Sequence, residues 1–405
     1  LFAPGFHDDG KQFDATVEML RFTFPYIFFI SLVALGSGVL NSYGRFWVPA
    51  FNQILLNVIM IIAAGVVAPH FQNPGLVLAI GVFVAGFIQL LAQFPALRKL
   101  DLLPRPRWDR AHEGVRRIAR LMLPGIFGSS VAQVSLLLDT LIASFLMAGS
   151  ISWMYYADRL VEFPMGVFSI ALATVILPGL SSHHAGESPE KFTATLDWAL
   201  RLTMIVVTPA AVGLLMLSGP MMATLFGYGA FSTRDVLMSS YALMAYSLGL
   251  MGFSFVKVLA PGYFARQDTK TPVKIGIIAL SINMAFNLGV VVPVYLNGFP
   301  VPHALLALST GLSALVNATL LYRGLRRQGV YAPSGHWRRL LPQVALASAA
   351  MAGFLWWISG DWAAWSGWRA SARALQLALC VGGGAGVYFL ALWLTGARLR
   401  DMKSL

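Results

Sequence analysis

Residues 151–179 read ISWMYYADRLVEFPMGVFSIALATVILPG. The run is long enough to cross a bilayer as a helix, because a span needs about 20 mostly apolar residues. Yet three formal charges, Asp158, Arg159 and Glu162, fall within five residues of it. A charge at the centre of a membrane helix costs about 2.5–3.5 kcal/mol on insertion scales, so such groups usually face a protein interior or a wet cavity. The run is a membrane helix with something to do.

The same texture extends in both directions. Eleven runs qualify as spans: 22–40, 47–68, 75–97, 121–148, 151–180, 202–225, 236–263, 275–298, 304–322, 340–358 and 374–396. Eight of them hold no formal charge. Only 11% of the 405 residues are charged, 57% are hydrophobic and the mean hydropathy is +0.70. Soluble chains carry about 25% charged residues. Period-2 alternation is missing, so the expected class is an all-α integral membrane protein, a polytopic helical bundle.

The net charge of +12 does not point to nucleic acid. With the first residues outside and the helices alternating, 21 of the 29 Lys and Arg fall in inside loops or the tail. That asymmetry is the positive-inside signature and reports topology. Lys11, Arg21, Arg234, Arg369 and Arg373 fall outside, and Arg159, Arg201 and Lys257 lie in or at helices. The single cysteine, Cys380, can form no internal disulfide. An odd number of spans with an external start leads us to expect further helices upstream.

Residues 1–21 read as an external loop. The basic segment 98–120, with eight Lys or Arg, reads as an inside linker ending in a short surface helix. It separates three helices from eight, so the expected divisions are 1–97, the linker 98–120, a six-helix bundle over 121–325, and a C-terminal helix pair with its tail over 326–405. The turn Asn41–Arg45 before Pro49 is echoed by Ala265–Lys270 before Pro272, six helices later, as in duplicated transporter halves. The last pair flanks a Trp-rich external loop (Trp356, Trp357, Trp362, Trp365, Trp368) and either forms a lateral groove for a lipid tail or serves as an anchor. Asn52 and Asn57 read as interhelical packing glue.

Asp158 and Glu162 share a helix face, and Arg159 lies three before Glu162. Either the arginine is neutralised in place, or it faces a cavity and pairs with a substrate phosphate, which suits its planar, permanently charged fork. At 1.5 Å per residue it lies roughly 12 Å below the outer end of its helix. Tyr156 beside it and Lys257 join the candidate substrate contacts, although Lys257 is also placed to snorkel. Asp139, Asn283, Asn287 and Thr310 offer the oxygens a hard monovalent cation wants, so a sodium ion is the one candidate cofactor; the alternative is an Asp139 that is protonated or hydrogen-bonded to Ser129, Ser130 or Ser135. His183 and His184 lack further ligands at metal spacing, and no nucleophile–base pair or phosphate-cradling loop is present, so an enzyme is not expected.

Several motifs resemble the MurJ (MviN) family of lipid II flippases. They are Phe24-Pro25-Tyr26-Ile27, Leu40-Asn41 with Arg45-Phe46 and Pro49-Ala50, Leu55-Leu56-Asn57, Tyr156-Ala157-Asp158-Arg159-Leu160 with Pro164 and Gly166, Leu177-Pro178 with Leu180-Ser181, and Ala265-Arg266 with Asp268 through Lys274. The resemblance covers essentially the whole chain. It implies a fourteen-helix member of the multidrug/oligosaccharidyl-lipid/polysaccharide exporter superfamily, of which about eleven helices are here. Two six-helix lobes would enclose a cationic cavity, and the last two helices would make the lipid-tail groove. The family's eighth-helix cavity arginine falls on Arg159; its other cavity arginines belong to the three helices not found in this sequence. Asn52-Gln53 stands where many relatives carry a proline. The implied partners are the undecaprenyl-diphosphate-linked peptidoglycan precursor, membrane lipids and cell-wall synthesis proteins, and the implied location is the bacterial inner membrane. Two other functions fit the residues, a cation-coupled drug or polysaccharide exporter and a non-transporting scaffold of the cell-wall machinery.

Overall fold

The computed structural model describes residues 10–102, 113–186 and 188–396, and every regular element among them is helical. The helices are α1 (Gly10–Thr23), α2 (Tyr26–Ser42), α3 (Trp47–Ile62), α4 (Pro74–Lys99), α5 (Glu113–Phe145), α6 (Ser150–Pro164), α7 (Ala171–Ala185), α8 (Pro189–Met216), α9 (Ser218–Leu225), α10 (Thr233–Phe264), α11 (Lys270–Phe286), α12 (Val292–Leu296), α13 (Pro302–Arg327), α14 (Trp337–Ser359), α15 (Trp362–Gly367) and α16 (Ala370–Leu394). Ten helical stretches among the described residues are long and apolar enough to cross a membrane. Most of the run expected at 121–148 lies on α5, of which Gln133–Phe145 is an apolar stretch.

Four boundaries differ from expectation. Residues from Gly10 onward are helical rather than loop, and α1 meets α2 at the Pro25 kink, where the ring removes a backbone donor. The span expected at 202–225 is two helices: α8 begins at Pro189 and stops at Met216, and α9 follows after Leu217. The linker does not end in a separate surface helix, because Glu113 opens the same 33-residue helix that runs to Phe145; residues 103–112 lie outside the described residues. Arg373, assigned to the outside loop, is a buried residue of α16.

The chain divides into two compact units, one over residues 3–119 and one over 120–405. In the first, α4 is the common partner of α1, α2 and α3. Its buried amides hold the neighbours: Gln93 Nε2 donates to Val33 O at 3.1 Å and Ser37 Oγ at 2.8 Å, and Gln89 Nε2 donates to Asn52 O at 2.8 Å. The expected glue is therefore misassigned. Asn52 is buried but contributes its backbone carbonyl, and Asn57 is exposed within this unit.

In the second unit, α10 is central and packs against α6, α8, α9 and α13. The α10–α13 seam is a backbone-to-backbone approach. A Cβ on Gly249 would run into the Gly311 backbone, and one on Gly252 would sit 2.5 Å from Leu315 N. Small residues let membrane helices come this close, where lipid gives no hydrophobic drive for association. Prolines leave helical carbonyls open, and the fold fills one of them from a distance. Pro209 cannot donate to Ile205 O, and Tyr388 Oη on α16 does so instead, at 2.8 Å. In the inner turn before α11, Asp268 accepts from Thr271 Oγ1 at 2.6 Å and Thr271 N at 3.0 Å. Partial burial pushes its carboxyl up, but these bonds and nearby Arg266 outweigh it and hold it below the ordinary carboxylate range.

Candidate functional site

Helix α6 buries Trp153, Ala157 and Val161 toward the unit's core and turns the opposite face outward. At 3.6 residues per turn, Arg159 lies roughly 200° round from Ala157, so burying one exposes the other. The N-terminal end is fixed by Trp153, whose Nε1 donates to Asp235 Oδ1 at 2.7 Å and whose ring lies 5.0 Å from that of His303. Below Pro164 the helix passes into a π-turn over Met165–Ile170 before α7. Such bulges are rare and recur at functional sites.

On the exposed face, Arg159 Nη1 lies 2.8 Å from Glu162 Oε2 and Nη2 lies 3.7 Å from Asp158 Oδ2. Its guanidinium also stands over the Tyr155 ring at 4.9 Å. The arginine thus rests against its own helix's carboxylates, yet its side chain remains 48% exposed. A guanidinium has five N–H donors. No described residue outside α6 forms an ion pair with it. The formal charge of the Asp158–Arg159–Glu162 patch is −1, so a polyanion arriving there needs Arg159 to leave Glu162 and needs further positive charge nearby. Tyr156 is not in the patch; its ring packs between Phe226 and Phe231 at 4.8 and 5.1 Å. Tyr155, which the sequence reading passed over, takes the place beside the guanidinium. Lys257 is exposed toward the C-terminal end of α10 and forms no ion pair with a described residue.

The four candidate cation ligands come together inside the 120–405 unit. Asp139 (α5) accepts from Asn287 Nδ2 at 2.9 Å and from Thr310 Oγ1 (α13) at 3.1 Å, and Asn287 Nδ2 also reaches Asn283 Oδ1 (α11) at 3.2 Å. Turning the Asn283 amide over keeps it in the cluster, with Nδ2 then donating to Asp139 Oδ1 at 3.2 Å. Asp139, Asn283 and Asn287 are at most 8% exposed. Asn287 opens a π-turn, Asn287–Val291, and its Oδ1 is a buried oxygen with no donor. Buried acceptors are almost always satisfied, so an unfilled oxygen beside a buried carboxylate fits a small cation.

Two further polar centres were missed. Asp197 on α8 gathers Arg201, Tyr331, Ser334 and Trp337. Arg373 on α16 donates to backbone carbonyls at the end of α9. The i, i+4 spacing of Asp197 and Arg201 was the available signal. His183 and His184 line a cavity of about 190 Å³ with Arg266 at the inner end, and among the described residues no group of three His, Cys, Asp or Glu is placed to hold a metal.

Fold and residues together define a polytopic α-helical membrane protein with a charged patch on one membrane helix and a buried carboxylate–carboxamide cluster in the same unit. The chain belongs to the MurJ family: the family model described as lipid II flippase MurJ matches residues 1–372. The protein called probable lipid II flippase MurJ from Vibrio cholerae is 45% identical over 393 residues, covering 97% of this chain and 74% of that relative. The lipid II flippase MurJ of Burkholderia cenocepacia is 44% identical over 400 residues, covering 97% of this chain and 76% of its own. A solved structure, lipid II flippase MurJ in the inward closed conformation, superposes with a TM-score of 0.74 at 23% identity over 93% of this chain and 73% of that one, a likeness of fold.

Proposed function

We infer that the chain is a lipid II flippase of the bacterial inner membrane, moving the lipid-linked peptidoglycan precursor from the inner to the outer leaflet. Family membership over most of the chain supports this, and the half-exposed Arg159 at membrane depth is the observation that carries it into chemistry. Arg159 is the residue that receives the diphosphate, exchanging Glu162 for phosphate oxygens with the same charge-assisted geometry. Asp158 and Glu162 hold the guanidinium while the site is empty, and the carrier alternates access between the two leaflets. Expression of the protein is expected to restore growth to a strain depleted of its own lipid II flippase. Failure to restore growth at normal abundance in the membrane counts against the reading.

A sodium ion at Asp139, Asn283, Asn287 and Thr310 is the second part of the proposal, supported by the convergence of those residues and the orphaned Asn287 Oδ1. A ligand that binds only the folded state raises its stability. Sodium chloride is therefore expected to raise the unfolding midpoint of the purified protein above that in choline chloride of equal ionic strength, and Asp139→Asn is expected to remove the difference. An equal sodium effect in that variant removes Asp139 from the site.

A further inference from the structure

Helices α14 and α16 are held to the rest of the 120–405 unit by polar contacts at three places. At the inner end, Asp197 (4% exposed) accepts from Tyr331 Oη at 2.8 Å, Ser334 Oγ at 2.7 Å and Trp337 Nε1 at 2.7 Å, in the segment leading into α14 and at its first residue. Arg201 Nε, 3.0 Å from the same carboxylate, balances its charge. Thr193 Oγ1 donates to Val330 O at 2.9 Å and ties down the same segment. Midway along α8, Tyr388 fills the carbonyl that Pro209 leaves open. At the outer end Arg373, 8% exposed, donates through Nη1 to Ala223 O at 2.9 Å and Gly227 O at 3.2 Å, where a cation suits the closing carbonyls of α9. Between these points the apolar core is continuous, with Val344, Ala347 and Met351 in one cluster with Leu214 and Leu217.

A helix pair attached through apolar contact alone can slide, because one lipid-like contact replaces another. Here sliding strands a carboxylate, a guanidinium and an unpaired backbone carbonyl, each of them buried. Hydrogen bonds hold only between about 2.7 and 3.2 Å, so helix shifts of roughly 1–2 Å are enough to break them. We propose that α14 and α16 are a fixed wall of the 120–405 unit and travel with it as one body, with Asp197, Tyr388 and Arg373 as positioning residues. A lipid tail lying along the pair is then carried with the unit, and is not released by separate motion of the pair. The wall itself stands without the transport reading; the choice of conditions for testing it rests on that reading.

The test is spin-label distance measurement on the full chain carrying Cys380→Ala, in lipid nanodiscs, in sodium or choline and with or without lipid II. Labels at the exposed positions Leu248 and Leu346, and at Leu248 and Leu379, report on the pair. Each distribution is expected to be single, with a mean that moves by less than about 1 Å across conditions, below the scale of helix sliding. Two populations, or a larger shift, overturn the proposal. The combined variant Asp197→Ala, Tyr388→Phe, Arg373→Ala is expected at least to double the width of both distributions; if it folds and leaves them unchanged, the clamps are not what holds the wall. Labels at Ile61 and Leu248 report separately on alternating access. Constancy there defeats that reading while the clamp result stands.

Discussion

Arg159→Ala is expected to abolish growth of a flippase-depleted strain while leaving protein abundance in the membrane unchanged. The abundance part follows from exposure. The side chain contributes nothing to the unit's core, and its partners lie on its own helix. The growth part follows from charge. Losing a hydrogen bond to a charged group costs about 1.5–3 kcal/mol, roughly 10- to 150-fold in affinity. Without Arg159 the patch also keeps two carboxylates and no cation, which opposes a diphosphate. Arg159→Lys keeps the charge but loses the planar fork, so partial growth is expected from it. Normal growth of the alanine variant would remove Arg159 from the mechanism.

Gly252→Ala and Gly249→Ala are expected to lower the unfolding midpoint of the purified protein, each by the equivalent of about 1–3 kcal/mol. A Cβ at 252 meets Leu315 N at 2.5 Å and Ala314 C at 2.6 Å, which are backbone atoms with no rotamer to change. The helices must part, and α10 is the element on which both α6 and α13 are mounted. The patch on α6 and the Thr310 end of the Asp139–Asn283–Asn287–Thr310 cluster should be disturbed together. Gly289→Ala, where a Cβ meets nothing within 4 Å, is the control and should not lower the midpoint.

The spans were legible because a bilayer demands continuous apolar length, and hydropathy records length directly. The convergence of Asp139, Asn283, Asn287 and Thr310 was legible for a related reason: in an apolar chain the few oxygen-bearing side chains stand out, and Asn283 and Asn287 share a face by spacing. What the sequence did not reveal was azimuth. A helix apolar on all sides carries no stripe to show which face is buried, so Gln89 and Gln93 could not be told from lipid-facing amides, nor Tyr155 from Tyr156 as the neighbour of the guanidinium. The split between α8 and α9 escaped hydropathy because 202–225 carries no formal charge, although Ser218-Gly219-Pro220 just after Leu217 is a turn signal. Arg373 was assigned by topology to solvent, whereas its burial depends on carbonyls about 150 residues away.

The bond between Tyr388 and the Ile205 carbonyl spans 183 positions of sequence. During synthesis α8 therefore enters the membrane with one backbone acceptor that its own helix cannot serve, and the residue that serves it is added 183 positions later. Until then water must stand in. The kink at Pro209 acquires its final partner only when α16 inserts, which makes arrival of α16 the step that completes α8.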